Sequence, residues 1–81
     1  MQLCDLPRDV TAMVGEVRDA HRDDAIARRL RELGFVAGEP VRVVARGPIG
    51  GDPLLVQIGY TRFALRRGEA ARVRLLAQAT P

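Results

Sequence analysis

The chain has 81 residues, 47% of them hydrophobic, and only Phe35, Tyr60 and Phe63 are aromatic. A chain of this size buries only about 60 to 65% of its unfolded surface, so it supports one domain with a small aliphatic core and leaves little room for a deep catalytic cleft. All 13 basic residues are Arg, set against ten Asp and Glu for a net charge of +3, and the acids are interspersed among the bases, which makes the charge a weak argument for nucleic acid.

In chain order, Leu3 to Pro7 reads as a short lead-in, and Val14-Gly15-Glu16-Val17-Arg18 as a first strand with Val14 and Gly15 at its start. Asp23 or Asp24 can cap the helix that follows, placing a carboxylate at its positive end. Ile26, Leu30 and Leu33 form one apolar face of that helix, with Arg28, Arg29, Arg31 and Glu32 on the others. About ten residues of helix are marginal alone, so packing must hold it. Gly34 ends it, because glycine takes positive φ without a Cβ clash.

Phe35 and Val36 then fold back through a turn from Gly38 to Pro40. From Val41 the period switches to two, with Val41, Val43 and Ala45 alternating with Arg42, Val44 and Arg46. The stretch Gly47-Pro48-Ile49-Gly50-Gly51-Asp52-Pro53 reads as a wide hairpin loop before the strand from Leu54 to Ile58. Gly59-Tyr60-Thr61 reverses the chain into Arg62 to Leu65. Arg66 to Ala71 reads as a single helical turn, Arg72 to Leu76 as the last strand, and residues 77–81 as a frayed tail. The domain expected is a single one over residues 1–81, with its core from about 6 to 76. Five short antiparallel strands with one helix between the first and second predict a mainly β fold, a partly open SH3-like barrel. A helix packed on an open sheet is the other arrangement these elements allow.

The residues that could carry chemistry are few. Gly47 to Pro53 lacks the Lys-Ser/Thr ending of a phosphate loop and no helix follows it, so the chain is not expected to bind GTP. Cys4, His21, Asp23 and Asp24 match no compact ligand spacing, so neither a metal nor another cofactor is expected. The sequence contains no Ser, and its single His and single Cys fall in different segments, so a nucleophile-base pair is not expected and the chain reads as no enzyme. One Cys excludes an intrachain disulfide and suits a reducing cytosol. No apolar run approaches the roughly 20 residues a membrane helix needs, and a signal-peptide order is lacking at the amino terminus, so a cytoplasmic location without membrane insertion is expected.

Three aromatics cannot furnish the groove that proline-rich peptides need. The Arg residues around the helix and in the last third, Arg28, Arg31, Arg62, Arg66 and Arg67 among them, read as a solvated surface or as partners for an acidic patch, which Arg recognises through planar, bidentate contacts. Phe35 and Val36 read either as core at the end of the barrel or, where exposed, as an interface anchor.

Taken together, Arg29-Leu30-x-x-Leu33-Gly34-Phe35-x-x-Gly38-x-x-Val41-x-Val43, then Pro48-x-Gly50-Gly51-Asp52-Pro53, then Ala64-Leu65-Arg66 with Glu69-Ala70, resemble the FeoA family of bacterial ferrous iron transport over roughly Leu6 to Leu76. One departure is the doubled Gly50-Gly51, where the family often has a single Gly. The resemblance implies an SH3-like barrel that acts as an interaction module and not an enzyme. Its implied partner is FeoB, a membrane protein with a cytosolic GTP-binding domain that would recruit it to the inner face of the membrane. A family-level association with transition metal ions comes with it, without a visible site. The candidate partner-binding residues are Arg28, Arg31, Phe35, Val36, Arg62, Arg66 and Arg67, on a monomer or weak homo-oligomer. The same barrel closes iron-dependent repressors, so a regulatory or nucleic-acid-binding small barrel is the alternative.

Overall fold

A computed structural model describes residues 1–76; the tail expected over residues 77–81 lies outside the described residues. A 3-10 turn over Leu3–Asp5 leads into five strands and two helices: β1 (Thr11–Val17), α1 (Ala25–Glu32), β2 (Pro40–Gly47), β3 (Gly51–Ile58), β4 (Thr61–Leu65), α2 (Arg67–Ala70) and β5 (Val73–Leu75). The strands form one antiparallel sheet in the order β4-β3-β2-β1-β5, with the helix between the first and second strands as the sequence predicts. The fold is the SH3-like barrel expected from the strand pattern.

The first strand begins at Thr11, three residues before the predicted start at Val14. Its first half, Thr11 to Met13, pairs with Arg42, Val41 and Pro40 of β2, while Val14, Glu16 and Val17 pair with Leu75, Arg74 and Val73 of β5. Thr11 to Met13 alternate in burial, but Thr, Ala and Met do not alternate in polarity, so the pairing with β2 is what marks them as strand. The strand changes partner between Met13 and Val14, and its register against β5 shifts at Gly15. A Cβ there would stand 3.2 Å from the carbonyl oxygen of Arg74 and 3.3 Å from Leu76, so the missing side chain is what lets β5 come close.

The hairpin loop is also tighter than predicted. Gly47 pairs with Gly51 and Ile49 bridges Asp52, so only Pro48 to Gly50 lie between the strands. The turn-forming Gly51, Asp52 and Pro53 are part of β3, with a cis peptide between Asp52 and Pro53. Asp52 turns its carboxylate to the backbone N–H of Arg67 at 2.8 Å, which ties the hairpin to α2.

Inward residues follow the period of two: Val41 and Val43 on β2, Leu54, Val56 and Ile58 on β3, Val73 and Leu75 on β5 are all buried. The lead-in adds to this core, since Leu3, Cys4 and Leu6 are buried as well. Arg46 holds it in place by donating to the carbonyl oxygens of Leu6 at 2.6 Å and Cys4 at 3.3 Å. Phe35 is 1% exposed and closes one end of the core.

The helix presents a different face from the one predicted. Ala27 and Leu30 are buried and Leu33 is half-buried, whereas Ile26 is 37% exposed. The small side chain of Ala27 lets the helix approach the strands closely, and that rotation leaves Ile26 at the edge of the contact. At the other end the chain leaves the helix as predicted: Leu33 is its C-cap, and Gly34, with φ of 112°, takes the left-handed turn.

Candidate docking groove

The helix that frames the site is pinned at both ends. Asp24 is its N-cap: one carboxylate oxygen accepts from the N–H of Ile26 at 3.1 Å and of Ala27 at 3.2 Å. The other oxygen accepts from Ala20 N at 2.7 Å and from Arg72 Nε at 2.6 Å. Asp24 is therefore more than a cap, because it ties the loop before α1, the helix and the turn before β5 to one buried carboxylate. The hydrogen bond from Arg72 holds its carboxyl far below the usual carboxylate range, against the opposing effect of burial, with the N–H groups of Ala20 and Ala27 adding to the pull. Its neighbour Asp23 is exposed, with φ of 56°. In the last turn, Arg31 donates to the carbonyl oxygen of Val17 at 2.7 Å and to Asp19 at 2.8 Å, which fastens the helix to the end of β1.

Between this helix and β4 runs a groove of about 400 Å³. Leu30, Leu33, Phe63 and Leu65 form its apolar floor, Ile26 and Arg29 stand on the helix side, and Glu69 on the side of α2. Phe35 supports the floor from within, its ring 6.1 Å from that of Phe63 at an angle of 51°. Glu69 is held in place by accepting from the N–H of Arg66 at 2.8 Å. A second cleft of about 450 Å³ lies over β2 and is lined by Thr11, Arg42, Gln57 and the fully exposed Tyr60, with Arg42 donating to Gln57 at 3.3 Å. The groove thus joins an apolar surface to one charge of each sign.

None of the seven residues singled out from the sequence lines this groove. Arg28 is exposed on α1, and Arg31 is held by Val17 and Asp19. Phe35 is core, and Val36 beside it is 47% exposed. Arg62 is exposed opposite Gln57. Arg66 is exposed at the start of α2, and Arg67 reaches Asp5 at 3.8 Å. All the residues that line the groove, Ile26, Arg29, Phe63 and Glu69 among them, fall outside the set of candidate partner-binding residues. Arg29 and Glu69 stood inside the family-like blocks, which was the one signal in the sequence that marked them.

Cys4 is buried, and burial together with the neighbouring Asp5 pushes its thiol up. His21 lies in the loop before α1, its Nδ1 3.0 Å from the carbonyl oxygen of Arg22. Among the described residues no three His, Cys, Asp or Glu side chains converge. No described helix is long and apolar enough to cross a membrane.

The FeoA domain family matches residues 1–75 of the chain. FeoA of Stenotrophomonas maltophilia, solved in complex with zinc and put forward as an SH3 domain protein that activates ferrous iron transport, is 64% identical with a TM-score of 0.88, over 93% of this chain and 88% of that one. The solution structure of FeoA from Chlorobium tepidum is 33% identical with a TM-score of 0.80, over 98% of this chain and 71% of that one. A manganese-dependent transcriptional repressor shares the fold at 23% identity and a TM-score of 0.78, with 96% of this chain covering 41% of that one. No curated protein matches the sequence. With its strand order, its helix position and its match along nearly the whole length, the chain belongs to the FeoA family of small SH3-like proteins of ferrous iron transport.

Proposed function

We propose that this chain is a cytosolic accessory protein that binds the cytoplasmic portion of a FeoB-type membrane GTPase through the groove between α1 and β4 and so modulates ferrous iron uptake. The observation that carries this reading is an open apolar groove, pinned at both ends of its helix, on a barrel of the FeoA family. A rigid apolar floor binds a partner helix or loop at little ordering cost, and Arg29 and Glu69 set its orientation. Arg28, Arg62, Arg66, Arg67 and Val36 serve as the polar rim around that contact, with Arg31 positioning the helix. Phe35 acts only from beneath, through Phe63.

The chain works in this reading as one domain over residues 1–81, as a monomer or weak homo-oligomer, and brings no chemistry of its own. Nucleic acid has no part in it. Arg31, Arg46 and Arg72 direct their guanidinium groups to backbone and carboxylate oxygens of the barrel itself, and the likeness to a repressor is one of fold.

The test is binding to an intact FeoB-type partner in lipid nanodiscs. Wild-type chain is expected to bind saturably, with affinity that survives moderate salt because the contact is mainly apolar. Ile26→Asp is expected to weaken it by about tenfold or more, the loss of one apolar anchor. No binding to the intact partner would overturn the proposed function. Equal binding by wild type and Ile26→Asp would move the contact away from this groove.

A further inference from the structure

The outer face of β1 and β5 carries a charge cluster that the docking groove does not use. Val17 and Val73 pair and point inward, so Glu16, Arg18, Arg72 and Arg74 lie on the opposite face. The backbone of Gln2 bridges Arg74 from its other side. Most charges there are matched. Asp24 is met by Arg72 and Asp19 by Arg31, and Glu16 lies 3.3 Å from Arg18 with both side chains more than half exposed. Arg74 is the exception. Its guanidinium makes no ion pair among the described residues, and its Nε is the one buried side-chain nitrogen or oxygen among them without a hydrogen-bond partner. A half-buried cation with an unsatisfied donor is costly unless an anion reaches it.

A cavity of about 400 Å³ lies over this position, lined by Gln2, Arg18, Asp19, Arg72 and Arg74 along with the backbone of Gly68. Arg72 contributes a guanidinium whose orientation is already fixed. Its Nε is bound to Asp24 and one Nη to the carbonyl oxygen of Gly68 at 2.8 Å, which commits two of its five N–H donors. Three guanidinium groups with this many free donors exceed what the two oxygens of a carboxylate can accept. A tetrahedral oxyanion offers more acceptors and matches Arg geometry bidentately.

We propose that this cavity is a binding site for a phosphate-type oxyanion, held by Arg74 and Arg72 with Arg18 at the mouth. The anion neutralises Arg74 and locks the seam between β1 and β5. The site lies outside the docking groove, and its failure would leave the proposed function untouched.

The experiment is titration of the isotope-labelled full chain with inorganic phosphate at constant ionic strength, followed by amide chemical shifts, with glycerol phosphate and acetate in parallel. Saturable shifts centred on Gln2, Arg18, Gly68 and Arg74 are expected with phosphate. Binding of glycerol phosphate with similar affinity would mark an esterified phosphate as the source, and binding of inorganic phosphate alone a free anion. Arg74→Gln is expected to weaken phosphate binding about tenfold, whereas Arg8→Gln, which removes the same charge from an exposed position outside the cavity, keeps it within about twofold. Should Arg74→Gln fail to fold, Arg18→Gln serves in its place with a smaller loss. The absence of saturable shifts up to about 50 mM phosphate at fixed ionic strength, equal binding of acetate, or an equal loss in Arg8→Gln would each overturn the proposal.

Discussion

The groove beside α1 and the outer face of β1 and β5 are built on the same sheet from opposite materials. In the groove, Leu30, Leu33, Phe63 and Leu65 give a floor that gains by excluding water, with a single Arg and a single Glu at its edges. On the β1–β5 face, Arg18, Arg72 and Arg74 surround a cavity with only one acidic residue in its lining, Asp19, and that one is already bound by Arg31. One small barrel can therefore offer two unlike surfaces, because strand residues alternate between core and outside and each outer face can be chosen separately. Asp24 links them: the same carboxylate that caps the groove's helix holds the arginine that lines the cavity.

The largest effect is expected below the groove. Phe35→Ala should remove about 3–5 kcal/mol, enough to unfold a domain whose stability is a few kcal/mol, and a melt that stayed close to wild type would show that the floor does not depend on Phe35. Next comes the shared carboxylate. Asp24→Ala leaves the half-buried Arg72 without its anion and takes the cap from α1, so its urea midpoint should fall well below that of Asp23→Ala, whose side chain is exposed. Matching midpoints would separate the two regions that Asp24 is held to join.

Acid should expose the same link. Arg72 depresses the ionisation of Asp24 in the folded chain, so the stabilisation is complete above the unfolded carboxylate value of about 4 and is lost as pH falls toward the folded value. Thermal melts below that pH should decline more steeply for wild type than for Asp24→Asn, which starts lower and has no carboxylate to protonate. Parallel declines would remove the pair as the cause. A smaller change is expected at the rim of the groove: Ile26→Asp should cost less than about 1 kcal/mol of stability while it weakens partner binding, and a large loss of stability would mean that Ile26 is core. Smallest is the reactivity of Cys4, which burial and Asp5 keep protonated. Alkylation should be slow in the folded chain and fast in urea, and fast labelling of the folded chain would show that the lead-in opens.

Much of the barrel was legible because its signals are local. The helix stop at Gly34, the valine alternation from Val41 and the turn at Gly59 and Tyr60 depend on residues within a few positions of one another, and each occurs in the structure. The start of β1 was not legible, since Thr11 to Met13 are held by Pro40 to Arg42. Gly51-Asp52-Pro53 carries turn chemistry yet sits in a strand, because the pairing of Gly51 with Gly47, the bridge from Ile49 to Asp52 and the bond from Arg67 to Asp52 override the local preference. The candidate site was less legible than the fold. Charge in the sequence pointed to Arg28, Arg31, Arg62, Arg66 and Arg67, but a groove is a relation between elements, and the two segments that line it, one ending at Leu33 and the other starting at Phe63, are far apart in the chain.

By itself the sequence determined the number and kind of elements, the aliphatic core and the family-like blocks, because periodicity, glycine conformation and capping are properties of neighbouring residues. Only the tertiary structure decided which way α1 rolls on the sheet, where β1 changes partner, that Asp24 rather than Asp23 carries the cap and the ion pair, and that the buried Nε of Arg74 is left without a hydrogen-bond partner among the described residues. Those outcomes depend on contacts made across the chain, where one small side chain such as Ala27 or Gly15 sets how near two elements can come.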